Sequence, residues 1–541
     1  MDPAIPSSSI PLFEVRYGIG SNRRFSGWSC AALAILTIGA TASSEAVPRA
    51  TTLAGLQERL RHSIEHSRDT SAIWGVEIVS GLNGRILFET NATQRLIPAS
   101  NTKLFTAALA LDRLGTAHQV ATSLAVTVPP NASGIVEGDL VVRGSGDPSF
   151  APSWHGDKWE PAFDPLVELV TRAGIREIHG NVVVDAGRFR GPLHGRGWDE
   201  EDAHFAYGAA VSALTVGDNV IEASLTPGPH PGDPTSVRWL PVDDFKAPLA
   251  RTILGLDSVN LVSTVATNQP LRVEVQWRKS GHAVAFKGAL PVGRKPYTLE
   301  LPIPNPAEAF GAYLVEALAR RNVTVSGSIR SMGSSETGVP TNRVELGSVP
   351  SPPVAEWIRP TLKNSQNLYA QLLLQTVGAE EEARRSSAGE TAPEATTADS
   401  GLRRLPALLN KIGASTNAAT LEEGSGLSRQ NGLTPHAIVQ LLLWVPRQPY
   451  GSVWMDSMAV GGVDGTLRNR LLHPAVRGRV RAKTGSLTGV AALSGYVTNR
   501  LGQGMVFSIV VNHWTRESAA ECRAEIDQLV QQVAEFQGPL E

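Results

Sequence analysis

The feature that most constrains this 541-residue chain is a change of texture that begins and then reverses. "TLAGLQERLRHSIEH" sets Leu53, Leu56, Leu60 and Ile64 three and four apart, the stripe of an amphipathic helix. "WGVEIVSGLNGRILFET" follows as two strands joined at Asn83-Gly84, a hairpin signal. A helix is then predicted from Ser100 through Leu111. From about Thr122 to residue 345 short alternating strands dominate, among them "TSLAVTV", "GDLVVRG", "GNVVVDA" and "NVIEASLTPG", with one amphipathic helix in "NPAEAFGAYLVEALARR". After residue 350 helices return, and the chain closes with the strands "VAALSGYVTN" and "GMVFSIVVN" and a last helix from about Arg516. A hairpin and helix at one end, with strands and a helix at the other, predict one sheet domain built from both chain ends around a large insert.

The fold expectation is therefore α+β. The boundaries read as a leader over 1–46, a first part of the sheet domain over 47–121, a mainly β insert of two subdomains over 122–345, and a second part over 346–541. Within the last, Ala379 to Ser400 is polar and of low complexity and reads as an exposed loop.

Composition excludes some partners. The formal net charge is -2 and no dense Lys/Arg stripe occurs, so nothing supplies the phosphate contacts of a nucleic-acid binder. Arg23 and Arg24 precede an apolar run from Trp28 to Ala40 and then small residues, the layout of a secretory signal peptide cleaved near Ala42 to Ala46. The run is shorter than the ~20 residues a membrane span needs, which disfavours an uncleaved anchor. Cleavage would remove Cys30 and leave Cys522 with no partner for an internal disulfide.

Chemistry enters at "IPASNTKLFTAALAL". Ser100 and Lys103 stand three apart on one helix face, so the amine reaches the hydroxyl. Burial and the positive end of the helix dipole both disfavour the ammonium and turn Lys103 into a usable base for a Ser nucleophile. Alone the pair is weak, since Ser100 would serve equally as a helix cap with Lys103 reaching solvent. Two further strings change this: Ser365-Gln366-Asn367 in "KNSQNLY" and Lys483-Thr484-Gly485 in "RAKTGSL". S-x-x-K, S-x-N and K-T-G in that order are the signature of penicillin-binding proteins and serine β-lactamases.

Lys103 and Ser365 lie 262 positions apart, far more than a compact β-lactamase uses. The chain resembles the low-molecular-mass penicillin-binding D-alanyl-D-alanine carboxypeptidases and endopeptidases that carry a large insert between the first two motifs. "GDLVVRGSGDPSF", "GNVVVDAGRF", "AYGAAVSALTVGDN", "EEGSGLSRQNGLTP" and "VGGVDGTLRNR" are similar to that family too, over nearly all of residues 50 to 515. One departure is Glu423, where the family usually has Asp before Gly-Ser-Gly.

The resemblance implies a β-lactamase/transpeptidase-like domain and hydrolysis of D-Ala-D-Ala ends and D-Ala-diaminopimelate crosslinks of peptidoglycan through an acyl-enzyme, with acylation by β-lactams. It implies Ser100 as nucleophile, Lys103 as base, Ser365 as proton relay and Asn367 as the group holding Lys103 and the substrate amide. Lys483, Thr484, Gly485 and Ser486 would form the carboxylate-binding strand, and the N–H groups of Ser100 and Ser486 the oxyanion hole. Asp202, in "GWDEEDAHF", resembles a segment that approaches the diaminopimelate end, although four clustered acids also suit a solvated face. No metal or organic cofactor is implied. The expected location is the periplasm, soluble or peripheral to the membrane, and a homo-oligomer stays open. A β-lactamase or esterase of the same superfamily, and a wall-binding or antibiotic-sensing module that does not turn over, are the alternatives.

"HSIEH", His62 to His66, also matches the zinc-peptidase pattern H-x-x-E-H. Helical spacing turns both histidines away from the Leu60 and Ile64 stripe, and no third ligand is identifiable, so a solvated face is expected.

Overall fold

The structure is a computed structural model that describes residues 50–250, 257–277, 283–332, 343–390, 396–516 and 519–540. The proposed leader, with Cys30, lies outside the described residues.

A six-stranded antiparallel sheet joins the two ends of the chain. Its order is Ala459–Val460, Val480–Leu487, Val490–Thr498, Gly504–Asn512, Ile73–Ser80 and Ile86–Thr90. Strand alternation gives the sheet two apolar faces. Trp74, Val76, Ile78, Phe507, Ile509, Val511, Ala491 and Leu493 face one core, closed by the helices Leu53–Glu65 and Ala519–Glu535. Val506, Val510 and Ala492 face the other, closed by Thr102–Leu114, Val354–Lys363, Asn367–Ser387 and Pro435–Trp444. The second core adjoins the motif residues, since Ser100 precedes Thr102–Leu114 and Asn367 opens Asn367–Ser387.

The middle of the chain forms a five-stranded sheet of order Ile329–Met332, Val182–Asp185, Leu140–Arg143, Ala121–Val126 and Val344–Pro350. Its three parallel strands require crossovers. Two helices are placed to make them, Glu160–Arg172 and Pro306–Arg320, and they meet through the rings of Phe163, Phe310 and Tyr313. The first of these helices corrects the strand-dominated reading. Pro161 and Pro165 signal turns in the sequence, but Pro161 falls in the first turn, where its missing N–H costs nothing. Residues Ser224–Arg238 and Leu256–Tyr297 form a separate compact unit around a three-stranded sheet of order Asp257–Val265, Ala283–Pro291 and Arg272–Trp277.

The exposed loop expected from Ala379 to Ser400 is also corrected. The helix from Asn367 runs on to Ser387, and a second helix, Thr397–Leu402, follows. The acids that look like low complexity are ion-paired there: Glu381 with Arg384 at 2.6 Å and Glu382 with Arg190 at 2.7 Å, while Glu380 pairs with Arg188. Cys522 is a buried free thiol. No helix among the described residues is long and apolar enough to cross a membrane.

Candidate active site

The head of the Thr102–Leu114 helix is a tight 3-10 turn, Ala99–Asn101, in which Ala99 is held at φ 47°, a strained value for a residue with a side chain. Two glycines let other segments press against this turn. A Cβ on Gly426 would stand 2.0 Å from the Ala99 carbonyl oxygen, and one on Gly485 would stand 2.7 Å from that of Pro98. Gly485 thus lets the strand that carries Lys483 run against the Ser100 turn and brings Ser486, which is exposed, beside it. Asn101, fully buried, pins the turn to the sheet by donating from Nδ2 to Ser494 Oγ at 2.9 Å.

Lys103 is fully buried, and its Nζ meets three oxygens: Ser100 Oγ at 3.0 Å, Asn367 Oδ1 at 2.6 Å and the Ser425 carbonyl at 2.5 Å. Burial lowers its pKa to about 7, against the opposing pull of the Glu423 carboxylate. At neutral pH the amine is therefore readily deprotonated. With Asn367 and Ser425 accepting its two remaining N–H bonds, the lone pair then points at the Ser100 hydroxyl.

Ser365 occupies the short turn between the helices Val354–Lys363 and Asn367–Ser387 with φ 63°. Asn367 opens the second helix and donates from Nδ2 to the Tyr207 carbonyl at 2.8 Å. That leaves its Oδ1 for Lys103. Lys483 is also fully buried, and donates to Ser365 Oγ at 2.7 Å and to the Thr484 carbonyl at 2.8 Å. Burial first, and the nearby charge of Lys103 second, hold its pKa well below the ordinary lysine value. The structure thus joins Ser100, Lys103, Asn367, Ser365 and Lys483 through two short hydrogen-bonded groups.

Asp202 lies in the 3-10 turn Glu200–His204 and accepts from the Tyr207 hydroxyl at 3.1 Å. Since the Tyr207 carbonyl holds Asn367, one residue links Asp202 to the site. Burial pushes the Asp202 carboxyl up, while the Tyr207 hydroxyl and, more weakly, Arg429 oppose that shift.

Sequence reasoning left three contributors unassigned. Ser425 and Tyr207 act through backbone carbonyls, which carry no residue signature. Arg429 donates to the Thr488 carbonyl at 2.9 Å, next to the K-T-G strand, and its place beside Asp202 is visible only in three dimensions. Glu423 gains a clear account. Buried, it accepts from Ser425 N at 2.6 Å, Ser425 Oγ at 2.5 Å, Gly426 N at 2.6 Å and Asn431 Nδ2 at 2.7 Å, as well as from Gln371. These bonds hold the loop that presents the Ser425 carbonyl to Lys103. His62 and His66 are exposed with rings 3.9 Å apart. Among the described residues no group of three or more His, Cys, Asp or Glu is arranged to hold a metal.

A helix-covered antiparallel sheet with buried Ser-Lys and Ser-Lys contacts defines a serine acyl-transfer enzyme of the β-lactamase/transpeptidase-like α+β class. The chain belongs to the D-Ala-D-Ala carboxypeptidase 3 (S13) family, which it matches over residues 56–533. It is 32% identical over 521 residues to the D-alanyl-D-alanine carboxypeptidase of Actinomadura sp. strain R39, covering 94% of this chain and 90% of that one. It is 26% identical over 435 residues to D-alanyl-D-alanine carboxypeptidase DacB of Haemophilus influenzae, covering 80% and 83%. The crystal structure of penicillin binding protein 4 (dacB) from H. influenzae shares the fold with a TM-score of 0.70 at 22% identity, over 90% of this chain and 98% of that one. The same protein complexed with a β-lactam gives 0.66 at 22% identity, over 89% and 98%. The enzyme is a serine-type D-alanyl-D-alanine carboxypeptidase.

Proposed function

We propose that Ser100 is the residue acylated by the penultimate D-Ala of a peptidoglycan stem peptide and that Lys103 is its base. The observation that carries this reading is the triple contact of Lys103 Nζ. Two neutral acceptors orient the amine, and the third neighbour is the hydroxyl it must deprotonate. The Ser100 oxygen attacks the carbonyl carbon, the proton passes to Lys103, and the tetrahedral oxyanion is held by the N–H groups of Ser100 and Ser486. As the C–N bond breaks, the Ser365 hydroxyl protonates the leaving amine and is recharged from Lys483. Water then hydrolyses the acyl-enzyme by the same proton route in reverse.

Lys483 and Thr484 read the terminal carboxylate of the leaving D-Ala. Asn367 holds Lys103 and the substrate amide together. A β-lactam carries an acyl-transfer carbonyl beside a carboxylate, so it acylates Ser100 as well. In this reading the same site also opens D-Ala-diaminopimelate crosslinks, because their leaving group again has a free carboxylate beside the cleaved bond. Asp202, with Arg429 near it, complements the ammonium and carboxylate of a diaminopimelate D-centre. Such substrates require export of the enzyme, in keeping with the leader expected over 1–46.

Labelled penicillin and intact-mass analysis test the assignment. The label is expected on the peptide holding residues 97 to 103 and is lost in Ser100→Ala; a label that persists in Ser100→Ala rejects it. Digestion of purified sacculi tests the crosslink activity, which is rejected if D-Ala is released while dimeric muropeptides stay intact.

A further inference from the structure

The groups that must act together here, the Ser365 turn and the Lys483 strand, belong to elements 118 positions apart. They meet in the 2.7 Å bond between Lys483 Nζ and Ser365 Oγ. A substrate carboxylate competes for Lys483 Nζ, yet the proton relay needs this bond kept while substrate is bound. Something else has to keep the two elements in register, and the segment "AVGGVDGTL" touches both.

Toward the Ser365 turn, Asp464 Oδ2 lies 2.6 Å from Lys363 Nζ, two residues before Ser365. Burial alone would raise the Asp464 carboxyl, but the bonds from Lys363 and from the Val460 N–H outweigh it and hold it low. Gly465, at φ 53°, packs so closely that a Cβ would stand 2.4 Å from the Lys363 carbonyl oxygen. Toward the strand, Ala459 and Val460 pair with Ala482 and Arg481, the two residues before Lys483. Thr484 Oγ1 donates to Thr466 Oγ1 at 2.9 Å. Val460 N also donates to Asp464 Oδ1 at 2.8 Å, which ties the two ends of the segment to each other.

We infer that the segment 459–467 is a brace between the Ser365 turn and the carboxylate-reading strand, with Asp464 and Thr466 as positioning residues that act through Lys363 and Thr484. This rests on the reading of Thr484 as a carboxylate ligand given above. Hydroxyl hydrogens rotate, so the Thr466–Thr484 bond can reverse. When Thr484 donates to a substrate carboxylate, Thr466 donates to Thr484, and the two hydroxyls polarise one another toward the anion. Thr466 then contributes only to substrates that carry the charge. Asp464 acts differently: it fixes the turn that holds Ser365, whatever the leaving group's terminus.

The test uses the full enzyme, an acyl-D-Ala-D-Ala peptide and the same peptide with its C-terminus amidated. Thr466→Val keeps the shape of the side chain and removes the hydroxyl. It is expected to lower kcat/KM on the free acid about tenfold and on the amide less than about twofold, with the melting temperature nearly unchanged. Equal losses on the two peptides, or no loss on either, overturn the role of Thr466. Asp464→Asn is expected to lower kcat on both peptides by a similar factor. The companion Lys363→Met should cause most of the same loss, so that the double variant adds little. Additive losses overturn the Asp464–Lys363 half of the brace. A parent enzyme that treats free acid and amide alike rejects the carboxylate reading itself, whereas a parent that discriminates while Thr466→Val does not shift the ratio rejects only the brace.

Discussion

The two buried lysines of the site are alike in burial but sit in different electrostatic surroundings. Burial lowers the Lys103 pKa to about 7, with the Glu423 carboxylate offsetting part of the shift. Lys483 has two oxygen contacts and a like charge nearby, and it is held well below the ordinary value. The difference separates two tasks. A base must be able to lose its proton and regain it near neutral pH, and Glu423 keeps Lys103 in that range. An anion reader must be unsatisfied until the anion comes, and Lys483 meets the Ser365 hydroxyl and the Thr484 carbonyl, with no carboxylate hydrogen-bonded to it among the described residues.

The largest expected effect breaks the first region. Lys103→Met should lower acylation of Ser100 by roughly a hundred- to ten-thousandfold while leaving the fold intact, since the hydroxyl loses its proton acceptor. Stopped-flow acylation by a chromogenic β-lactam measures it, with circular dichroism as the fold control. In the parent enzyme the same rate should climb as pH rises through about 7, where Lys103 becomes neutral. A flat profile from pH 5 to 9 would remove Lys103 as the base.

Next comes the second region. A charge-assisted hydrogen bond to a desolvated carboxylate contributes on the order of 1.5 to 3 kcal/mol. Lys483→Ala should therefore cost roughly ten- to a hundredfold or more in kcat/KM on a free-acid peptide, yet add little to the loss already caused by amidating the peptide. Strictly additive losses would show that Lys483 does not read the carboxylate.

A subtler consequence sharpens the contrast. Burial lowers the Lys483 pKa, and a carboxylate beside it should raise that pKa again, so binding should be accompanied by proton uptake. Calorimetry on Ser100→Ala in two buffers of different ionisation enthalpy reads this directly. Uptake is expected for the free acid and not for the amide, and affinity for the free acid should fall by up to about tenfold per pH unit on the alkaline side. Equal uptake for both peptides would place the titrating group elsewhere.

Much of this site was legible because its side chains fall into three short strings whose spacing is local. Ser100 and Lys103 meet because one helical turn joins them, whereas the close approach that Gly485 permits is seen only in the structure. The rest was hidden for physical reasons. The acceptors from Ser425 and Tyr207 are main-chain carbonyls, indifferent to the side chain above them. The helix from Asn367 was cut short at Ala379 because its acids look solvated until Arg188 and Arg190, nearly two hundred positions earlier, are seen to pair with them. The helix Glu160–Arg172 lies among short strands and carries Pro161 and Pro165, residues that count against a helix unless, like Pro161, they fall in its first turn. In the sheet, by contrast, the Asn83-Gly84 hairpin signal and near-continuous apolar runs mark the strands Ile73–Ser80, Ile86–Thr90, Val490–Thr498 and Gly504–Asn512, since both faces of the sheet meet a core.

The smallest effect lies away from the chemistry and tests the electrostatic rule itself. His436, in the first turn of the helix Pro435–Trp444, has its Nδ1 3.0 Å and 3.1 Å from the two carboxylate oxygens of the buried Glu77. Here a cation has gained a partner, and the hydrogen bond to Glu77 outweighs burial, so the pKa of His436 is raised from 6.5. A raised cation pKa means that the folded state holds the proton more tightly than the unfolded chain does. The stabilisation is then fully present below about 6.5 and is lost as pH rises through the higher folded value. The imidazole is 38% exposed, so solvent screening limits the gain to no more than about 1 kcal/mol. His436→Gln should accordingly lower stability to urea at pH 5.5 by that small amount relative to the parent, and the gap should narrow at pH 9. A gap that widens with pH would mean that His436 is held neutral by burial, and that partner and desolvation do not compete here as they do at the two lysines.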